Sequence, residues 1–151
     1  MNRISRKPLL LSPKEVKVWE WDKKFSVGVD AIDKQHLQLV NLINKIEELK
    51  NKEPIDVKKV SMIIQELIVY TQSHFTQEEE VMRRHAFVGI ERHKKLHQTF
   101  IEKVKLFEEK FEKGPQQVLD IMLPFLTKWL QHHIMVEDKK YSINVGEKFK
   151  L

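Results

Sequence analysis

The stretch Val60 to Met82, VSMIIQELIVYTQSHFTQEEEVM, carries the pattern that decides the fold. Val60, Ile63, Ile64, Leu67, Ile68, Thr71, His74, Phe75, Glu78, Val81 and Met82 recur at spacings of three and four, the period of one face of an α-helix. Such a face turns toward a core, yet two positions on it, His74 and Glu78, are ionisable. An unpaired buried charge costs several kcal/mol or shifts its pKa until it is neutral. The stripe therefore predicts a buried helix face and, with it, some partner for the polar groups it carries inward.

Working outward, this helix should run from about Asp56 to Arg84. Before it, a helix is expected from about Asp33 to Asn51, with Asp30 or Asp33 placed to cap it and His36, Leu39, Val40, Ile43 and Ile46 on one face. Lys52-Glu53-Pro54 ends it. After a turn around Phe87-Val88-Gly89, a third helix from about Ile90 to Glu112 turns His93, Leu96, His97, Phe100, Ile101, Val104, Phe107 and Phe111 inward. Gly114 and Pro115 supply a stop and a start. The fourth helix, about Gln116 to Tyr141, buries Val118, Leu119, Met122, Phe125, Leu126, Trp129, Leu130 and His133, and Pro124 inside it should kink it or leave one carbonyl unpaired. Four amphipathic helices with short connections predict an all-α fold, an up-down-up-down antiparallel four-helix bundle over residues 18–141. The stretch from Val18 to Val29 has no sustained helical period and reads as irregular chain, its Trp19 and Trp21 covering apolar surface. Residues 1–17 read as a basic N-terminal arm and 142–151 as a C-terminal tail.

At 151 residues the chain is the size of one domain. With no cysteine, disulfides, thiolate zinc sites and cysteine nucleophiles are excluded, and any metal must be held by nitrogen and oxygen. No apolar stretch approaches the roughly 18 residues of a membrane span, and the N-terminus lacks the apolar run of a secretory signal, so a cytoplasmic location is the expectation. The net charge of +5 sits in the ends: residues 1–17 carry +4, residues 139–151 carry +3 and the body is −2. Basic ends on a slightly acidic body lack the basic stripe of a nucleic-acid binder, and nucleic acid is not an expected partner. The basic ends read as solvated tails or as a contact for a weak acidic partner, and the protein partner is unknown.

Five histidines and a glutamate fall on the inward stripes: His36, His74, Glu78, His93, His97 and His133. One such histidine is ordinarily just a satisfied core residue, but five together with a carboxylate at ligand spacing favour a shared cation. His74/Glu78 and His93/His97 are i, i+4 pairs, about 40° apart around a helix and about 6 Å along it, so each pair can reach one point. His36 near the start of its helix, His74 near the end of the next, and likewise His93 and His133, are level in an antiparallel bundle. A second carboxylate on the fourth helix is ambiguous by spacing. Glu137 is at i+4 from His133 and points the same way, while Asp138 at i+5 is about 140° round, reaching the site only if the helix is locally wide or frays. His132, about 100° from His133, reads as a surface residue, His85 as a helix-end residue near the C-terminal dipole, and Glu79 and Glu80 as a solvated acidic face.

His36 within Ile32-Asp33-Lys34-Gln35-His36, His74-Phe75-x-x-Glu78-Glu79, His93-x-x-x-His97 and Trp129-Leu130-x-x-His133-Ile134-x-x-x-Asp138 together resemble the signature of the hemerythrin family, in its bacterial version, over about residues 17–141. The resemblance implies Asp138, not Glu137, as the ligand. It further implies a di-iron centre: two iron ions, one completed by His93, His97 and His133, the other bound by His36 and His74, with Glu78 and Asp138 and a solvent-derived oxo or hydroxo group bridging them. Dioxygen would bind reversibly at the second iron, in a pocket whose positions carry over as Leu39, Phe75, Trp129, Leu130 and Ile134. All five are apolar and none donates a proton, which suits release of O2 without O–O cleavage. The family often has Tyr followed closely by Pro where this chain has His85-Ala86-Phe87-Val88, so the geometry of that turn is left open.

The expected function is that of an oxygen carrier, store or sensor and not of an enzyme. The alternative is a di-iron oxidase or peroxidase in the same bundle, though oxidases of the ferritin-like group use glutamate-rich sites. A helical module with a purely structural metal would leave no open coordination position.

Overall fold

A computed structural model describes residues 19–141; the expected basic arm (1–17) and C-terminal tail (142–151) lie outside the described residues. Four helices account for most of the described chain: α1 (Asp30–Lys50), α2 (Val57–Arg84), α3 (Ile90–Phe111) and α4 (Pro115–His132). There is no strand among the described residues. α1 packs on α2 and α4, and α3 on α2 and α4, so the helices close a ring in chain order, the arrangement of an up-down-up-down bundle.

The stripes fill the centre. On α2, Val60, Ile64, Leu67, Ile68, Thr71, His74, Phe75, Glu78 and Met82 are buried as the period predicts, with Ile63 and Val81 half-buried at its margins. α3 contributes Phe100, Val104, Phe107 and Phe111, and α4 contributes Leu119, Met122, Leu123, Leu126 and Leu130. Each large apolar side chain so buried stabilises the fold by about 1.5–3 kcal/mol. Phe100 tilts over Trp129 at 4.2 Å and stacks on Phe125 at 5.9 Å, locking α3 to α4.

α1 begins three residues earlier than the sequence reading placed it, and neither Asp30 nor Asp33 caps it; the N-cap is Val29, without a side-chain bond. Asp33 instead reaches back from the first turn and accepts hydrogen bonds from the Val27 amide (2.8 Å) and the Ser26 hydroxyl. This clamp holds the preceding irregular chain, in which a single 3-10 turn at Lys23–Phe25 presses Trp19, Phe25 and Val27 into the core. Asp56 does cap α2, accepting from the Lys59 amide at 3.1 Å.

α2 ends in a Schellman motif. The Phe87 amide bonds to the Met82 carbonyl at 3.0 Å and the Ala86 amide to that of Arg83 at 3.1 Å, with Ala86 at φ +52° in the place glycine usually takes. His85 is the residue at the helix end, its Nδ1 donating to the Val81 carbonyl at 2.9 Å. α4 continues through Pro124, which lies on the exposed face, so the Asp120 carbonyl deprived of its helical donor is on the side open to water. Beyond His132 the helix widens into a π turn, His133–Glu137, before resuming helical form to Tyr141.

Candidate metal centre

The helix polarity brings His36, His74, His93 and His133 to the same end of the bundle, as antiparallel packing requires. All seven candidate ligands are buried, none more than 3% exposed. Their donor atoms fall into two sets, each within 4.8 Å: Glu78, His93, His97, His133 and Asp138 in one, and His36, His74, Glu78 and Asp138 in the other. Both carboxylates belong to both sets.

The distances show how they are shared. Asp138 turns Oδ1 to His133 Nε2 (2.8 Å) and His93 Nε2 (3.1 Å), and Oδ2 to His36 Nε2 (3.0 Å). Glu78 turns Oε1 to His93 Nε2 (3.2 Å) and Oε2 to His74 Nε2 (3.1 Å). His97 Nε2 and His133 Nε2 are 3.0 Å apart. Asp138 thus divides its oxygens between the two sets, and Glu78 bridges them with Oε2 lying 3.1 Å from His74 Nε2 and 3.7 Å from His97 Nε2.

The π turn is what brings Asp138 here. Its i→i+5 bond, from the Asp138 amide to the His133 carbonyl, gives this turn one extra residue, so Asp138 comes round to the face that Glu137 would hold on an ideal helix. Glu137 is carried past it and binds Arg92 through two contacts (2.7 and 3.3 Å) and Lys140 at 3.2 Å. Of the two carboxylates that spacing left open, the structure places Asp138 in the cluster and Glu137 outside it.

The cluster's chemistry fits a cation. Both oxygens of Glu78 and of Asp138, and the ε-nitrogens of His36, His74 and His93, are buried and close to one another, yet none makes a well-directed hydrogen bond. So many orphaned groups in one place is rare in a folded protein. Ligand atoms about 2.1 Å from a common ion and at right angles lie about 3 Å apart, the spacing seen among these atoms. The groups of the cluster also shift one another's titration. Burial pulls His133 down, but the Asp138 and Glu78 carboxylates outweigh it and hold its ring at about 10; His93 is raised for the same reason. Burial would raise Glu78, yet contacts with Asp138, His133, His74 and His93 keep it well below the usual carboxylate range. His97, where burial dominates, falls to about 2 and is neutral.

Residues outside the cluster orient its rings. His74 Nδ1 donates to the Gln35 side-chain oxygen at 2.7 Å, and His97 Nδ1 to Glu79 Oε1 at 3.1 Å, so both rings turn Nε2 inward. Glu79 is therefore not simply part of a solvated face: it is a quarter exposed and tied to a cluster histidine. Glu80 does behave as expected, pairing with Arg83 and Arg84 on the outside. His132 is 65% exposed and lies outside the cluster.

Among the expected pocket positions, Leu39, Phe75, Leu130 and Ile134 are buried in the main core and Trp129 is half-buried against it. Phe75 stacks face to face on His97 (3.7 Å, 2°), and Trp129 on His133 (4.5 Å, 12°). Period and spacing give no role to Gln35 or Tyr141, and give Glu79 only that of a solvated acidic residue. Gln35 precedes a cluster histidine and Glu79 follows the cluster glutamate, which was the available signal. Tyr141 lies three residues after Asp138, on the same helical face, fully buried with its ring 5.8 Å from that of His93. Burial, then the nearby Glu78 and Asp138 charges, push its phenol well above the usual range, so it keeps its proton.

A four-helix bundle with paired, buried, carboxylate-sharing histidine sets at one end has the architecture of a helical protein with a candidate metal site. The family follows from comparison. Residues 27–142 match the model of the Hemerythrin HHE cation binding domain, and the chain belongs to the hemerythrin family. It is 34% identical over 124 residues to a bacteriohemerythrin of Clostridium acetobutylicum, covering 80% of this chain and 96% of that protein. A bacteriohemerythrin of Stenotrophomonas maltophilia is 30% identical over 125 residues, covering 83% and 80%. The fold is similar to a solved wild-type hemerythrin with a TM-score of 0.74 at 23% identity, over 85% of this chain and 98% of that one.

Proposed function

We propose that this protein binds dioxygen reversibly at a di-iron centre held by His36, His74, Glu78, His93, His97, His133 and Asp138. The observation that carries the reading is the pair of buried sets sharing both carboxylates, three imidazoles on one side and two on the other. The family's cation-binding domain and the relatives named bacteriohemerythrin support it. The inequality matters, because the two-imidazole side has one ligand fewer and so has room for a small molecule.

Two ferrous ions held by these seven residues would supply the two electrons that O2 takes up on binding and returns on leaving. The chain's own residues set the conditions for that return. Glu78 and Asp138 tie the two halves into one unit. Leu39, Phe75, Leu130 and Ile134, buried in the core, together with Trp129, exclude water and offer no acidic proton. The hydroxyl of Tyr141, whose ring lies 5.8 Å from that of His93, belongs to a phenol whose proton is held more tightly than usual. A site without an acid to drive O–O cleavage favours release.

The test is optical. Anaerobic ferrous protein exposed to O2 should develop a visible absorption band that disappears on deoxygenation. Irreversible bleaching, or turnover of an added reductant, would instead make the protein an oxidase or peroxidase; a metal content unchanged by O2 with no band would make the metal structural. Neither of those roles would return O2 intact.

A further inference from the structure

Glu79 and Gln35 do the same geometric job with different charge. Each accepts the Nδ1 proton of one cluster histidine: Glu79 from His97, in the three-imidazole set, and Gln35 from His74, in the two-imidazole set. The orientation of His97 is fixed twice, by this bond and by the Phe75 ring stacked on it at 3.7 Å. Gln35 is in turn held by Gln77, to which its amide donates. A carboxylate behind an imidazole makes the ring a stronger donor to a metal than a neutral amide does, because it stabilises the positive charge the ring takes on. Glu80, one residue along, carries the same charge but spends it on Arg83 and Arg84 at the surface.

We infer that Glu79 is a positioning residue that makes the three-imidazole half of the centre the electron-rich half, with Gln35 its neutral counterpart on the two-imidazole half. The inference rests on the di-iron reading above. It assigns the two halves different jobs beyond their difference in ligand number: the His97 side holds its ion more tightly and gives up an electron more readily, while the His74 side keeps the more electron-poor ion, the one with room for a ligand.

Four variants test this: Glu79→Leu, Glu79→Gln, Gln35→Glu and Glu80→Gln, with circular dichroism to confirm the fold. Iron affinity is read by competition with a chelator and midpoint potential by anaerobic redox titration. Glu79→Leu should weaken one of the two iron sites by about 10–100-fold. In Glu79→Gln the amide oxygen still accepts the bond, so most of that affinity should return while the potential rises. Gln35→Glu should lower the potential. Glu80→Gln removes the same unit of charge and should leave both quantities at the wild-type value. Equal shifts in Glu79→Gln and Glu80→Gln would reduce the effect to surface charge and overturn the inference. The same competition with zinc in place of iron separates the two readings. Wild-type protein that takes up no iron overturns the di-iron centre, whereas equal zinc affinity in wild type and Glu79→Leu overturns the positioning role.

Discussion

Asp138 and Glu137 are adjacent carboxylates with opposite surroundings, and exchanging each for its amide separates their roles. Asp138→Asn should cost at least one metal ion per chain, read by metal analysis, because it removes a negative oxygen shared by both sets. Glu137→Gln should keep both ions and cost stability instead. Arg92 and Lys140 overcome the effect of burial and hold the Glu137 carboxyl at about 2, below its ordinary value near 4.5. A depressed carboxyl stabilises the fold above the ordinary pKa and loses that contribution as pH falls. The melting-temperature difference between wild type and Glu137→Gln should therefore be full at neutral pH and shrink as pH falls from about 4.5 toward 2. The histidines give a parallel contrast: His74→Ala should lose an ion, and His132→Ala, at a position 65% exposed and outside the cluster, should lose none. In the metal-free protein the His133 ring is held at about 10, above its ordinary 6.5, so its pairing stabilises the fold fully below 6.5 and is lost as pH rises through 10. Metal must displace that proton, so metal affinity should rise with pH, by about tenfold per unit for each proton released. Six of the seven residues were legible from helical period alone, since a histidine or glutamate on an apolar stripe stands out. Asp138 was not; only the family resemblance pointed to it. Glu79 and Gln35 lay hidden because their roles depend on which ring faces them across a helix pair.

The element that decides between those carboxylates is the π turn at His133–Glu137. No local signal in His133-Ile134-Met135-Val136-Glu137 calls for it: the same residues would serve in an α-helix, and the tertiary site selects the wider form by drawing in Asp138. Deleting Val136, 41% exposed on the turn, should convert it to α-helix with His133 and Asp138 at i, i+4. Both still face the bundle interior, so the deletion should retain two metal ions; loss of both would mean that the π geometry itself is required. The end of α2 shows a similar override. Ala86 sits at φ +52° where a Schellman motif favours glycine, so Ala86→Gly should stabilise the protein by about 0.5–1 kcal/mol in denaturant titration. The existence and the faces of the four helices followed from period. Their ends did not, as α1 shows: Asp33, read as a cap, serves as a clamp on the loop before it.

At the scale of the molecule, the bundle turns a sequence property, histidines near alternate ends of successive helices, into one buried layer. Polarity makes the positions level, the surrounding aliphatic and aromatic core excludes water, and the cluster's orphaned nitrogens and oxygens leave it short of a cation. Loading with metal should therefore raise the melting temperature, the more so the higher the free metal concentration, and a chelator should reverse the gain. That the chain forms a bundle with a buried layer of histidines and carboxylates is readable from stripe and spacing, because both follow from helix geometry. The proposed oxygen binding rests on the two-imidazole set offering one donor fewer than the other, a difference that no periodicity encodes. The most direct measurement is the oxygen stoichiometry of the ferrous protein. One O2 should be taken up per two irons and recovered on deoxygenation through repeated cycles; continued consumption of O2 beyond that ratio in the presence of a reductant, or uptake that cannot be reversed, would rule out reversible binding at a di-iron centre.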